Sequence, residues 1–220
     1  MRYLRRYSDS ERIVHWAVAL LFFAAGLSGL ALFHPTLFFF ANTTGGGPLA
    51  RILHPFLGVL MVVLFVYMFF RMWHHNVWTK TDTEWTSKAG ALLKGDKKSM
   101  PAVGRYNAGQ KAVFWLMTVS LVVLLITGIM FWRPYFADAF PIPLRRVAVL
   151  LHALAAFGLV MGIITHIYAA LWVKGTTRAM MRGTVTETWA RLNHPLWHRE
   201  MVDGHRKAPP APTSQSLHDR

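Results

Sequence analysis

The sequence contains no cysteine, and acidic residues are scarce: ten Asp and Glu stand against 24 Lys and Arg, for a formal charge of +14. Without cysteine, the chain can neither ligate an iron–sulfur cluster through thiolates nor attach haem covalently, and no disulfide can form within it. It also has no P-loop and no Gly-x-Gly-x-x-Gly stretch. Charge of either sign is missing from four long runs: Ile13–Phe33 with 21 residues, Ile52–Phe70 with 19, Ala112–Trp132 with 21 and Val147–Val173 with 27.

What fills those runs is apolar. The chain of 220 residues is 54% hydrophobic with a mean hydropathy of +0.31, a combination with high net charge that soluble domains rarely show. At about 1.5 Å per residue, each run reaches or nearly reaches across a hydrocarbon core of roughly 30 Å. None alternates apolar and polar residues as a barrel strand does. The expected fold is therefore an all-α integral membrane protein, a bundle of four transmembrane helices over about 13–33, 52–73, 112–132 and 147–173. The basic start Met1–Tyr7 followed by an apolar run also fits a signal peptide. Ser8 and Glu11, however, form a capping-box pattern, and the run exceeds an ordinary signal core, so a retained helix is expected.

Lys and Arg number four in residues 1–12, eight in 71–111 and eight in 174–220, but only one in 34–51 and three in 133–146. Twenty against four places both termini and the long middle loop in the cytoplasm by the positive-inside rule. Because the basic residues flank membrane segments, topology explains them more simply than nucleic acid does. Gly45-Gly46-Gly47 reads as a flexible turn in an outside connection. The expected domain covers 1–207, followed by a Pro- and Ser-rich tail, 208–220, whose composition suits disorder.

Four of the eleven histidines lie inside the apolar runs. His15 and His166 fall near the cytoplasmic side, and His54 and His152 near the outer side. Fourteen residues separate His152 from His166; at 100° per residue they come within about 40° of four full turns, about 21 Å apart along one face. A flat ligand gripped by one imidazole from each of two helices needs that arrangement twice. Haem b, held by two axial histidines and no covalent bond, is such a ligand. Two haems at two depths would make an electron path across the bilayer. The plainer reading is that each histidine hydrogen-bonds a neighbouring helix, although ionisable residues within a membrane are functional suspects by default. Two imidazoles per level fall short of the four ligands of structural zinc. Gly29 lies fourteen residues after His15, and Gly58, Ala155, Ala156 and Gly162 stand about one turn from a histidine, which agrees with room for a porphyrin. Gly158-x-x-x-Gly162 equally suits helix packing.

The succession Glu11-Arg12-Ile13-Val14-His15-Trp16, Leu53-His54-Pro55, Asn107-Ala108-Gly109-Gln110-Lys111, His152 and His166 resembles the cytochrome b (gamma) subunit of membrane-bound formate dehydrogenases, from about Tyr7 to Val173. Cytochromes b of nickel–iron hydrogenases share the four-helix layout and the opening motif; the Asn-Ala-Gly-Gln-Lys stretch favours the formate dehydrogenase branch. The resemblance implies an outer haem b on His54 and His152 and an inner haem b on His15 and His166. It also implies a quinone site, for menaquinone or ubiquinone, at Asn107, Gly109 and Gln110. The implied partners are an iron–sulfur (beta) subunit and a molybdenum- or tungsten-containing catalytic (alpha) subunit outside a bacterial inner membrane. This subunit would anchor them and carry their electrons inward, with no formate-oxidising site of its own. Asn107 also suits a helix cap. Arg12 inside and Arg51, Arg145 and Arg146 outside are candidates to pair with haem propionates, or simply interfacial anchors. Two other classes stay open: a cytochrome b serving a hydrogenase or another respiratory oxidoreductase, and a cofactor-free membrane anchor or transporter.

Overall fold

The computed structural model describes residues 2–93, 95, 96 and 99–207; the 208–220 tail lies outside the described residues. Four long helices dominate: α1 (Asp9–Phe33), α2 (Gly47–Met72), α5 (Ala108–Met130) and α6 (Ile142–Trp172). All four are long and apolar enough to cross a membrane. They extend the charge-free runs mainly at their starts, where capping sets the boundary. The expected box closes α1: the Glu11 N–H donates to Ser8 Oγ at 3.3 Å and the Ser8 N–H to Glu11 Oε2 at 2.8 Å. Prolines sit in the first turns of α2 and α6, where a missing N–H costs nothing. Gly45 and Gly46 adopt positive φ ahead of α2, so the expected turn is a sharp reversal built on glycine.

The helices form two antiparallel hairpins, α1 with α2 and α5 with α6, which meet chiefly through α2 and α5. Met61, Phe65, Leu121 and Leu159 are buried at mid-height, flanked by Val18, Leu21, Phe22 and Phe69. Outward, large apolar side chains such as Leu20, Val119, Phe157 and Leu171 are more than half exposed. A surface of this kind is at home only against lipid. Gly158 and Gly162 admit α5: a Cβ on Gly162 would lie 3.3 Å from Leu116, and one on Gly158 would lie 3.5 Å from Ser120. Gly162 thus serves helix packing.

One end of the bundle carries an added cap. The connection after α2 holds a short 3-10 turn (Trp73–Asn76), α3 (Lys80–Ser87) and α4 (Ala89–Leu93). After α6 come α7 (Thr176–Arg182), α8 (Glu187–Asn193) and α9 (Pro195–Lys207). Strand β1 (Tyr3–Arg5) pairs antiparallel with β2 (Thr184–Thr186), Leu4 opposite Val185, and joins the segment before α1 to the one after α6. Leu4, Val185, Trp189, Ala190 and Trp197 make its small core. Arg12 secures it: Nε donates to the Met180 carbonyl at 3.1 Å and Nη2 to that of Met181, the open carbonyls ending α7.

Candidate functional site

The four membrane histidines meet as the depth reading expects. His54 of α2 faces His152 of α6 with ring centroids 6.3 Å apart, away from the clasp of β1 and β2. His15 of α1 faces His166 of α6 with centroids 6.1 Å apart, on the clasp side. Both pairs bridge the two hairpins, and α6 contributes to both. The spacing is chemically informative. An imidazole nitrogen binds a first-row metal at about 2.0–2.1 Å, and the ring centre lies roughly another 1.1 Å behind it, so two axial imidazoles sharing one metal have centres about 6.3 Å apart. The rings are too far apart to hydrogen-bond directly and fit one metal each. No third His, Cys, Asp or Glu joins either pair among the described residues, so the donor set suits two axial positions only.

The surroundings of the pairs differ. His54 Nδ1 lies 3.1 Å from the Ala25 carbonyl and 3.1 Å from Ser28 Oγ. A carbonyl only accepts, so Nδ1 carries the proton and Nε2 keeps the lone pair. His152 Nδ1 lies 3.0 Å from Thr127 Oγ1, whose own proton goes to the Val123 carbonyl at 2.6 Å. In the other pair, His15 Nδ1 is buried without a hydrogen-bond partner, and His166 is exposed on the flank of α6. Gly29 abuts the His54 ring: a Cβ there would lie 3.0 Å from Cε1. Nothing lies within 4 Å of a Cβ built at Gly58, which leaves open space beside the His54 face of α2.

Asn107 and Gln110 cap α5. Asn107 Oδ1 accepts the Gln110 N–H and Gln110 Oε1 accepts the Asn107 N–H, both at 3.0 Å. Among the described residues the two amide NH2 groups make no hydrogen bond. Gly109 faces Trp85, with a Cβ distance of 3.4 Å. Since Gly162 touches Leu116 and Met117, His166 of the antiparallel α6 lies level with about Ala112 and Val113, in the second turn of α5, and this cap stands about one turn beyond it. A buried ion pair holds α3 here: Lys111 Nζ is 2.7 Å from Asp82 Oδ2 and 3.0 Å from the Val77 carbonyl. Burial alone would raise the Asp82 carboxyl, but hydrogen bonds from Lys111 and Thr79 outweigh it and hold it below the usual carboxylate range.

The arginines divide. Arg12 is committed to Asp9 at 2.8 Å and to the carbonyls of α7, a structural staple neither reading foresaw. Arg145 and Arg146 line a cavity of about 420 Å³ with Arg133 and Phe131, and the Phe131 ring is 5.1 Å from that of His152. Arg51 lines another, of about 590 Å³, with His34. Two residues passed over in the sequence are central to the cap. Arg6 and His194 are both buried, with Arg6 Nη2 3.3 Å from His194 Nε2. Burial and the Arg6 charge, against a hydrogen bond with the Gly104 carbonyl, hold the His194 imidazole down to about 3.

A membrane bundle with two facing imidazole pairs at different depths is the arrangement of a membrane cytochrome b. The chain belongs to the prokaryotic cytochrome b561 family, whose profile matches residues 6–183. Membership implies haem b. The chain is 47% identical over 196 residues to the formate dehydrogenase cytochrome b556(fdo) subunit of Escherichia coli K12, covering 89% of this chain and 92% of that one. It is 42% identical over 197 residues to the nitrate-inducible cytochrome b556(Fdn) subunit of the same strain, covering 90% and 91%. The formate dehydrogenase cytochrome b556 subunit of Haemophilus influenzae is also 42% identical, over 90% of this chain and 83% of that one.

Proposed function

We propose that the protein is the membrane cytochrome b subunit of a formate dehydrogenase complex. In this reading His54 with His152, and His15 with His166, each hold a haem b. The chain anchors an iron–sulfur subunit and a molybdenum- or tungsten-dependent subunit outside the inner membrane and delivers their electrons to a quinone on the cytoplasmic side. The observation that carries it is the pair of imidazole spacings, 6.3 and 6.1 Å, repeated on one helix fourteen residues apart. The positive-inside bias supports placing the clasp side in the cytoplasm.

Haem b supplies reversible one-electron chemistry when bound. The residues of the chain do the rest. Nδ1–H bonds to Ala25, Ser28 and Thr127 fix the outer rings and leave their Nε2 lone pairs to hold the haem iron. The exposed flank at His166, with the free amide donors of Asn107 and Gln110 beyond it, gives a quinone an apolar approach and donors for its carbonyl oxygen. Outside-to-inside electron delivery with cytoplasmic proton uptake moves charge across the membrane without a pump. The test is formate-driven reduction of the b haems in membranes, with and without a quinone-site inhibitor. Formate should reduce them, and the inhibitor should block their reoxidation. A pyridine haemochrome assay finding no haem would overturn the reading.

A further inference from the structure

The outer histidines sit in matching settings. On α1 the sequence reads Leu27-Ser28-Gly29-Leu30, and on α5 it reads Ile126-Thr127-Gly128-Ile129. Each is a hydroxyl residue followed by glycine, on the first helix of its hairpin, pressed against the histidine on the second. Ser28 and Thr127 are 0% and 4% exposed, so neither hydroxyl reaches water. Both spend their one proton on their own helix: Ser28 Oγ donates to the Ala24 and Ala25 carbonyls at 2.9 and 3.0 Å, and Thr127 Oγ1 to Val123 at 2.6 Å. The lone pairs left over face Nδ1 of His54 at 3.1 Å and of His152 at 3.0 Å. The following glycines let the rings come close. A Cβ on Gly29 would be 3.0 Å from His54 Cε1, and one on Gly128 would be 3.3 Å from His152 Cε1.

We infer that Ser28-Gly29 and Thr127-Gly128 form a twin cradle of positioning residues that fixes both outer imidazoles as Nδ1–H donors and makes the outer iron the harder of the two to reduce. The inference rests on the reading that His54 and His152 share one haem. An imidazole whose Nδ1–H is held by an acceptor has more imidazolate character at Nε2. It binds ferric iron more strongly than ferrous, which lowers the reduction potential. The inner pair has no such support: His15 Nδ1 is unpartnered, and among the described residues no hydrogen bond reaches either inner ring. The gradient then runs from the more reducing outer site to the more oxidising inner one, the direction of delivery to quinone.

The experiment is a redox titration of the purified complex followed at the haem bands, comparing wild type with Ser28→Ala/Thr127→Val. The lower-potential transition should rise so that the ferrous-to-ferric ratio at the wild-type midpoint increases about tenfold, or about 59 mV for one electron. The upper transition should stay in place, and Thr127→Ser, which keeps the hydroxyl, should retain the wild-type midpoint. If the double variant sheds its haem, Ser28→Ala alone, in which the Ala25 carbonyl still holds His54, should give a rise of about threefold. Immobile midpoints, movement of the upper transition, or a Thr127→Ser shift as large as that of Thr127→Val would overturn the cradle. A haemochrome count on the wild type separates the two failures. Fewer than two haems per chain sinks the functional reading, whereas two haems with immobile midpoints sink only the cradle.

Discussion

Replacing Lys111 with methionine should release the loop that leans on the β-clasp end of the bundle. Lys111 and Asp82 are 8% and 2% exposed at the side chain and 2.7 Å apart, so removing the cation strands a carboxylate away from water. Breaking a buried pair from one side typically costs about 3–5 kcal/mol. The strain falls on α3, which Asp82 caps through the Thr79 N–H at 2.8 Å and hydroxyl at 2.6 Å. Amide hydrogen exchange over residues 77–93 reads this directly. At about 1.4 kcal/mol per tenfold, exchange should accelerate on the order of 10²-fold or more, up to the free rate. Asp82→Asn/Lys111→Met should be slower to exchange than Lys111→Met alone, because Asn keeps the capping acceptor and removes the stranded charge. Exchange within threefold of wild type in the single variant, or a double variant worse than the single, would refute the reasoning. The carboxyl is depressed in the folded state, so its contribution is present above the ordinary value of 3.8 and is lost as pH falls through the lower folded value.

His166→Ala should leave one haem of two and abolish quinone reduction, as haem counting and quinol assays would show; two haems with full turnover would contradict the inner assignment. Gly29→Ala should disturb the outer haem spectrum more than Gly128→Ala, since its Cβ meets the ring at 3.0 rather than 3.3 Å. Asn107→Ala should cost about 1 kcal/mol of thermal stability through the lost cap and also raise the KM for quinone; a normal KM would leave the cap as its only role. The cap should lose stability as pH falls from 6.5 toward 3. Unfolded His194 takes up a proton there while the buried ring does not, and exchange in residues 184–197 should report it. His194→Gln should remove that dependence.

The spans and the histidine pairs were legible because lipid leaves few options. A charge-free run must be a helix, and a polar ring inside one must have a partner. Helical phase carried His152 and His166 onto one face, where the structure has them. The Ser8–Glu11 box was equally plain, since its chemistry is local. Gly162 was open to two readings, because packing and porphyrin clearance both favour glycine, and its contact with Leu116 agrees with the packing one. Arg12 looked like a membrane anchor because its partners, the Met180 and Met181 carbonyls, lie some 168 residues away in sequence. The same distance hid the pairing of Tyr3–Arg5 with Thr184–Thr186 and the burial of His194. Ser28 and Thr127 were visible as a repeated hydroxyl–glycine pair, but only the ring placement gives that repeat a meaning.

The β-clasp has a consequence for biogenesis. Its second strand emerges only after all four spans have been made, so a nascent chain holds two separate hairpins that no ribbon yet ties together. On the proposed ligand assignment each iron is gripped by one ring from either hairpin, and the last ring of both couples belongs to the final span. Cofactor capture therefore cannot precede completion of the fourth span, and closing the ribbon beside His15 works like a buckle fastened after loading.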